Sequence, residues 1–524
     1  MILSTERSDV LSLTGARFLN FDRSISCISY NNISPIRHLN STNRIENEWS
    51  IPFDSQFLSL VFQKLAFYLS IPLLCFGMIQ GWLSPMRRIL ESSENPIDHP
   101  YTKDEYSWAA SVTYITAIIL GLPLGYFMDR FGRKFMSLVT ISTIMAYWLI
   151  KIISLEPSSF IIARAVAGFP CSAVYIIMPC YIKEISDIDL RSAFGSLYIL
   201  IRNVGYLTSY VLADLLSVYA MLWVGFGVAA VIFLLFLLLP ETPEYLIKTG
   251  KVDEAKEVMA WLRGISVTDD RLVRDIDTII YRDKQTTMEA KSTWGTIFHD
   301  ATTRKAFIIS WVIKVAQQFD GYLIVLIYAS SIFDVAADSV NIKLSANQQV
   351  MVVGAVQLVG SMSATALVEK TGTKKLLVGT SFTMGVGMGI LSIWFYLTAS
   401  GWSLPGWIPV LALCLAIVSD AAGFQPVSYI VITDMFTFHL RGQVSSFINV
   451  CGKGANFIQI KGFHALNQAI GIQFTFLIFA VICFGSCLFS IIFFPETRGR
   501  SLDEIYKELA GRNKKDDNQN QPQV

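Results

Sequence analysis

The segment GYFMDRFGRK, residues 125–134, places one acid and three bases directly after an apolar block. A related segment, EKTGTKK at residues 369–375, follows a later apolar block about 240 residues downstream. Charged side chains at the end of an apolar block are costly unless they are paired or solvated. The two segments therefore indicate the ends of membrane helices in a chain with an internal repeat.

Two further motifs repeat in the same order. Glu184 precedes Arg191 by seven residues, and Asp434 precedes Arg441 by seven residues, 250 positions later. The tripeptide Pro-Glu-Thr occurs twice, 255 positions apart. Three motifs matched in one order predict two related halves, as in transporters whose halves rock about a central site.

The composition is that of a polytopic membrane protein. Of the 524 residues, 53% are hydrophobic and 16% are charged, whereas about 25% of residues in soluble domains are charged. The net charge of +1 excludes a polyanion-binding surface as the main function, so no nucleic-acid partner is expected. A membrane helix needs about 20 apolar residues, and twelve such blocks occur: 57–83, 107–128, 135–154, 158–182, 193–213, 218–239, 306–332, 347–368, 375–398, 406–433, 442–465 and 470–494.

These blocks predict an all-α membrane protein with twelve transmembrane helices in two halves of six. The stretch between the sixth and seventh blocks is polar, and its residues 251–263 have the spacing of an amphipathic helix. The predicted segments are a flexible cytosolic tail at 1–56, the first half at 57–240, a cytosolic helical connector at 241–304, the second half at 305–495 and a cytosolic tail at 496–524.

Basic residues in the short loops predict the orientation, because cytosolic loops carry more Lys and Arg. With both termini in the cytosol, the inner loops hold nine basic residues and the outer loops hold five, of which Lys151 is one. The prediction is a multi-pass protein of the cell membrane, surrounded by the lipid bilayer, with cytosolic termini and functional as a monomer.

The sequence carries no signature of an enzyme. It shows no nucleotide-binding loop, metal-ligand spacing or nucleophile beside a histidine, and none of the eight cysteines forms a Cys-x-x-Cys pair. We therefore expect no metal, no cofactor and no catalytic residue.

The repeated charges are candidates for a cytosolic gate. Opposite charges at helix ends can pair between neighbouring helices and across the two halves, which would close the inner side. Each exposed pair contributes only about 0–1 kcal/mol, but a network of pairs can bias a two-state equilibrium. The alternative interpretation is that these charges only determine topology. The candidate gate residues are Asp129, Arg133, Lys134, Glu184, Arg191, Glu241, Glu369, Lys374, Asp434, Arg441, Glu496 and Arg500.

The motifs resemble those of the sugar porter family of the major facilitator superfamily. The segment at 125–134 resembles the superfamily's loop signature, and RAVAG at residues 164–168 resembles the family's fourth-span signature. The Pro-Glu-Thr segments and QQFDG at residues 317–321 resemble further family signatures. The likeness covers about residues 60–510, and GWLSP at residues 81–85 resembles the insect facilitated trehalose transporter-like branch. The resemblance implies the major facilitator fold and a small-molecule sugar as solute.

The resemblance also implies a central sugar site. Such a site requires amide or carboxylate groups for the hydroxyls and an aromatic face for the ring. By residue type alone, glutamines inside an apolar helix are also explained by interhelical hydrogen bonds. With the resemblance, the candidate sugar-contacting residues are Gln317, Gln318, Asp320, Tyr328, Gln357, Gln425 and Tyr429.

Several polar positions that the resemblance implies are replaced. Ile199 and Leu323 stand where the family has an amide, and Gly452 and Lys453 stand where it has an asparagine-tryptophan pair. We hypothesise that Asp320 and Lys453 form an ion pair in the cavity, because isolated charges within a membrane are costly. The alternative is that water in the cavity solvates each of them separately.

The leading interpretation is a facilitative transporter that moves a hexose or a trehalose-like disaccharide by alternating access. Leu83 stands where proton-coupled relatives carry an acid, which favours uniport, although Asp320 is a candidate for a relocated proton site. Proton-coupled symport stays an alternative. A non-transporting sugar sensor, or a carrier of a different small solute, is the other.

Overall fold

The computed structural model describes most of the chain, and the regular structure of the described residues is entirely helical. The predicted all-α class is thereby confirmed. Tyr328 and the N-terminal tail lie outside the described residues. The described residues are 70–91, 100–185, 191–289, 295, 297, 299–327, 346–436, 438–500 and 502–519.

A helical segment coincides with each of the twelve apolar blocks. In the first half these segments are α1 (70–81 and Leu83–Glu91), α2 (Lys103–Gly121 and Leu124–Phe131), α3 (Arg133–Ile153), α4 (Pro157–Val166 and Gly168–Ile185), α5 (Arg191–Leu215) and α6 (Val218–Leu238). In the second half they are α7 (Ala301–Gln318 and 322–327), α8 (Ala346–Thr371), α9 (Thr373–Ala399), α10 (Trp407–Ser419, Asp420–Phe424 and Gln425–Asp434), α11 (Phe438–Ile470) and α12 (Ile472–Phe493).

Six helices in the described part of the chain are long and apolar enough to cross a membrane on their own, and the bent α2 makes a seventh. Among them, α6 and α12 have a mean hydropathy of 2.7 and are only 33% and 39% buried, as expected of helices that face lipid. Of the remaining segments, α1, α5, α7 and α11 carry charged or amide side chains that line a central cavity. The count of twelve spans therefore stays a prediction.

Breaks in three helices expose backbone groups near the middle of the bundle. The two parts of α2 meet at an angle of 55° beside Pro123. In α10 a π-helical turn, Asp420–Phe424, precedes Pro426, which lacks the N–H that a regular helix would use. In α7 the helix stops at Gln318 and restarts after Gly321, whose φ of +90° is accessible to glycine at little cost.

The two halves pack through two helix pairs, α5 with α8 and α2 with α11. Within each half, α3 packs on α6 and α9 packs on α12, so equivalent helices make equivalent contacts. This arrangement leaves α1, α2, α4, α5, α7, α10 and α11 around the central cavity.

Within its described residues, the polar connector contains the helices Pro243–Lys248, Val252–Arg263 and Asp270–Glu289. The amphipathic helix predicted at 251–263 is confirmed, and it ends at Gly264 in a left-handed conformation with φ of 61°. These helices share a small apolar core of their own that includes Leu246 and Ile276.

The segment predicted as a C-terminal tail contains a helix, Leu502–Gln519. Its apolar side chains recur at intervals of three or four residues, and Ile505 and Leu509 are buried against the second half. This part of the tail is therefore folded onto the bundle.

Lys151 is counted among the basic residues of the outer loops, but it does not lie in an exposed loop. The side chain is fully buried, with its ammonium 2.7 Å from the centre of the Trp82 ring and 3.1 Å from the Tyr147 hydroxyl. Cation–π contacts offset part of the cost of burying the charge. Without Lys151 the outer loops hold four basic residues, five less one, against nine in the inner loops.

Candidate functional site

A polar cavity of about 50 Å³ lies between the halves, at the level of the breaks in α7 and α10. Of the seven predicted sugar-contacting residues, five line this cavity: Gln317, Gln318, Asp320, Gln425 and Tyr429. Leu323 and Lys453, two of the replaced family positions, also line it. The sequence-based hypothesis therefore places most of its residues around a single cavity.

The two glutamines of α7 differ in their surroundings. Gln317 is 2% exposed; it donates to the Asp420 carboxylate at 3.1 Å and accepts from the Lys314 ammonium at 3.2 Å. Gln318 is half-buried, and its side-chain amide donates to the side-chain amide oxygen of Gln317. Gln317 thus makes the interhelical hydrogen bonds of the alternative interpretation, whereas Gln318 is the more accessible amide.

Gln357 on α8 lies behind the cavity wall. Its amide nitrogen donates to the Asn203 side-chain oxygen at 2.9 Å and to the hydroxyl of Tyr322, which does line the cavity. The Asn203 amide in turn donates to Ser361. These bonds connect α5, α7 and α8 across the two halves, so Gln357 holds the wall in position.

Two tyrosines form an aromatic face of the cavity. Tyr175 on α4 and Tyr429 on α10 are parallel, with an interplanar angle of 2° and ring centres 6.2 Å apart. The Lys453 ammonium lies 4.5 Å from the centre of the Tyr175 ring, and the Lys314 ammonium lies 3.5 Å from that of Tyr429. The two rings thus line the cavity with a cation at each of them, and the stacking of a sugar ring on Tyr429 stays a prediction.

The hypothesised ion pair between Asp320 and Lys453 does not form. Across the part of the chain that the structure describes, Lys453 has no ion-pair contact with Asp320, and its ammonium contacts the Tyr175 ring. Asp320 instead accepts from the Tyr322 backbone N–H at 2.8 Å. The break in α7 frees that N–H, and the resulting bond explains why an aspartate is accommodated here.

Lys314 lies behind the cavity wall, in contact with two residues that line it, and is not among the predicted site residues. It is 2% exposed and contacts Gln317, Ser428 and Tyr429. A signal was present, because residues three apart on a helix share a face and Lys314 lies three residues before Gln317.

In the first half, the candidate gate residues form one connected group. Arg133 donates from Nε to the Glu184 carboxylate at 2.8 Å, and its Nη2 lies 3.4 Å from Asp129. Burial raises the pKa of Glu184 to about 7, while the Arg133 charge acts against that shift. Lys134 takes a different partner, since its ammonium donates to the Leu237 carbonyl at 2.9 Å.

The acid of each Pro-Glu-Thr motif caps a helix. Glu241 accepts from the backbone N–H of Arg133 at 3.0 Å, at the first turn of α3, where a carboxylate is favoured by the helix dipole. Glu496 accepts from the N–H of Thr373 at 2.9 Å, at the equivalent turn of α9. A buried environment raises the pKa of Glu241.

These caps explain the glycine in both loop segments. Gly132 and Gly372 have φ of +91° and +83°, and a Cβ on them would lie 2.3 Å and 2.8 Å from the carboxylate oxygens of Glu241 and Glu496. Each of these positions requires glycine for two reasons: the positive φ, and the carboxylate that lies too close for a Cβ.

The second half replaces the arginine contact with hydroxyls. Thr373 stands at the position equivalent to Arg133; its hydroxyl donates to Glu496 at 2.5 Å and lies 2.9 Å from that of Thr497. The Thr497 hydroxyl also donates to Asp434 at 3.2 Å. The acids of the two motifs are thus connected in both halves, by different chemistry.

The remaining gate candidates are placed less centrally. Arg500 pairs with Glu508 of the C-terminal helix at 2.5 Å, and the Glu369 side chain is exposed. The side chains of Arg191 and Arg441 lie outside the described residues. Each gate contact named above joins residues within one half or its adjoining segment.

The fold and the cavity define a polytopic solute carrier with two equivalent six-helix halves. The family described as "Sugar (and other) transporter" matches residues 40–509. The chain belongs to this family.

Relatives with this organisation occur in insects. The chain is 29% identical over 473 residues to "Facilitated trehalose transporter Tret1" of Bombyx mori, covering 89% of this chain and 90% of the relative. It is 25% identical over 471 residues to "Facilitated trehalose transporter Tret1-2 homolog" of Drosophila sechellia, covering 88% and 94%.

Solved structures share the fold. The proton:xylose symporter XylE bound to 6-bromo-6-deoxy-D-glucose matches with a TM-score of 0.67 and 19% identity, over 87% of this chain and 100% of that one. An inward-open XylE from E. coli matches with a TM-score of 0.69 and 18% identity, over 85% and 99%. The predicted major facilitator fold is confirmed by these matches.

Proposed function

We propose that the protein is a facilitative sugar transporter that carries a hexose or a trehalose-like disaccharide by alternating access. The observation that carries this proposal is a polar cavity between two equivalent halves, with accessible amides beside a stacked aromatic face. Amides bind hydroxyls by donating and accepting, and the aromatic face packs against the apolar side of a sugar ring. The names of the insect relatives support a sugar as solute.

Alternating access needs contacts that can exchange between two states. The groups around Arg133 and Glu496 lie at the same end of the bundle as the connector, and we assign them the role of a cytosolic gate. Both halves place such a group at this end, joined by an arginine in the first half and by threonine hydroxyls in the second, which supports the assignment. The proposed carrier acts as a monomer in the cell membrane, with both termini in the cytosol.

Proton-coupled symport is the second candidate. The specific observation in its favour is that Asp320 and Asp420 are both buried and that each has one carboxyl oxygen with no hydrogen-bond partner among the described residues. Uptake into proteoliposomes with and without an imposed pH gradient separates the mechanisms. An initial rate independent of the gradient supports uniport, and accumulation driven by the gradient supports symport.

The test of the transport proposal is counterflow of radiolabelled glucose and trehalose in proteoliposomes. We expect counterflow of at least one sugar, and a loss of about tenfold in Gln318→Ala, because each lost neutral hydrogen bond weakens binding by about 0.5–1.5 kcal/mol. The matched control is Gln285→Ala, outside the bundle on the connector. Binding without counterflow would identify a sensor, and failure to bind any sugar would identify a different solute.

A further inference from the structure

The cavity and its immediate surroundings contain more cations than acids. Arg202, Lys314 and Lys453 supply three positive groups, and Asp320 and Asp420 supply two carboxyl groups. Arg202 and Lys314 are 5% and 2% exposed. A buried charge without a counter-ion is expensive in a membrane protein, and such charges mark solute pathways.

The partners of these cations are neutral. Arg202 donates to the side-chain amide oxygen of Gln425 at 2.8 Å and to the Tyr175 hydroxyl at 3.1 Å. Its Nη2 also donates to the side-chain oxygen of Asn203 at 2.8 Å. Lys314 contacts an amide, a hydroxyl and a ring, as described above, and Lys453 contacts the ring of Tyr175. Within the described residues, none of the three cations forms an ion pair with a carboxylate.

Neither carboxyl group forms an ion pair with one of these cations within the described residues. Asp420 accepts from Gln317, and Asp320 accepts from the Tyr322 N–H. With all five groups ionised, the three cations exceed the two acids by one positive charge.

The cavity also has fewer neutral hydrogen-bonding side chains than a sugar site is expected to have. Leu323 lines the cavity where the family has an amide, and Lys453 stands in place of a neutral side chain. A solute that brings its own negative charge would compensate the cations and need fewer amides. A monoanion matches an excess of one positive charge better than a phosphate ester, which carries about −1.5 to −2 at neutral pH.

We propose that this cavity selects a monoanionic sugar acid, with its carboxylate between Lys453 and Arg202 and its ring against the Tyr175 and Tyr429 pair. The proposal rests on the proposed transport function and names its solute class. In this arrangement the carboxylate becomes the counter-ion of Lys453, whose ammonium contacts the Tyr175 ring among the described residues. The hydroxyls of the solute remain within reach of Gln318 and Gln425.

The experiment compares solutes that differ mainly in charge. Counterflow in proteoliposomes is measured for D-glucuronate, its neutral amide, D-glucose and glucose 6-phosphate. We expect D-glucuronate to exchange at least tenfold faster than its amide and than glucose. A faster rate for glucose or for the amide overturns the proposal, and a faster rate for glucose 6-phosphate overturns the assignment of a monoanion.

Variants connect the preference to the cavity. Lys453→Met is expected to lower the ratio of glucuronate to glucose rates by about tenfold, and Lys453→Arg to restore it. The matched control is Lys256→Met, since Lys256 pairs with Asp253 on the surface of the connector. An unchanged ratio in a Lys453→Met protein that still exchanges glucose contradicts the proposal.

A binding measurement tests the anion site independently of the proposed transport function. If no solute exchanges, the transport function fails, and calorimetry with D-glucuronate in detergent then decides the charge selectivity. Binding of glucuronate that is weakened at least fivefold in Lys453→Met supports the anion site. Absence of glucuronate binding, or preferential binding of glucose, overturns it.

Discussion

At the scale of single residues, Glu184 is the group with a pH dependence that the structure defines. Its pKa is raised by burial from the ordinary 4.5 to about 7. The folded protein therefore keeps this proton over a range in which the unfolded chain has released it. As pH rises from about 4.5 to about 7, the contribution of Glu184 to the free energy of unfolding is lost.

We expect the melting temperature in detergent to fall between pH 5 and pH 8, and part of this fall to disappear in Glu184→Gln. Tryptophan fluorescence during heating measures both. Glu254→Gln is the control, because Glu254 is exposed on the connector and pairs with Lys251. An identical pH dependence in Glu184→Gln and the native protein would contradict the assignment.

The sequence predicted the site best where a polar side chain interrupts an apolar helix. Gln318 and Gln425 line the cavity as expected. The hydrogen bonds of the two acids could not be predicted, because Asp320 uses an N–H freed by the break at Gly321 and Asp420 accepts from Gln317, 103 residues away. Long-range partners of this kind follow from packing, which no local pattern encodes.

At the scale of elements, the approach of α1 to α5 depends on two glycines. A Cβ on Gly77 would lie 2.2 Å from the Arg202 carbonyl oxygen, and one on Gly205 would lie 2.2 Å from that of Leu74. Both added atoms would meet backbone, which cannot rotate away. The close contact between α1 and α5 therefore fixes the position of the Arg202 backbone beside the cavity.

We expect Gly205→Ala to destabilise the protein by about 1–3 kcal/mol, the typical cost of overpacking. Gly227→Ala on α6 is the control, because an added Cβ there has no other atom within 4 Å. Thermal melting in detergent checks both changes. Equal melting temperatures for the two variants would show that α1 and α5 separate without cost.

Helix breaks illustrate what local sequence can and cannot encode. The kink in α10 was predictable from Gly423 and Pro426, and the structure places a π-helical turn there. The 55° bend in α2 beside Pro123 and the helix at Leu502–Gln519 were not predicted. An apolar block continues through a bend without any change of composition, and a short amphipathic stretch near a chain end needs a surface to pack on.

At the scale of the whole molecule, the repeat was the informative signal. The offsets between the two halves predicted equivalent helices, and α3 with α6 and α9 with α12 pack in equivalent ways. The sequence could not show which helices meet across the halves, because hydropathy reports only lipid exposure. That information comes from polar pairs such as Gln357 with Asn203.

One ion pair joins the halves at the end of the bundle opposite the connector. The Lys461 ammonium on α11 lies 2.8 Å from the Asp104 carboxylate on α2 and 4.2 Å from the centre of the Trp108 ring. In alternating access this contact breaks when that end opens. Because the Asp104 side chain is 75% exposed, the pair contributes only about 0–1 kcal/mol, which shifts the two-state ratio by up to about fivefold.

We expect Lys461→Met to shift the population toward the state open at that end, as measured by the distance between spin labels on α2 and α11. Asp104→Asn should give a similar shift, and the double variant should shift no further than either single change, since both remove the same contact. Lys251→Met is the control, because it breaks a pair of similar exposure on the connector. Additive shifts in the double variant would mean that the two residues act through separate contacts, and the pair would then not couple the two halves.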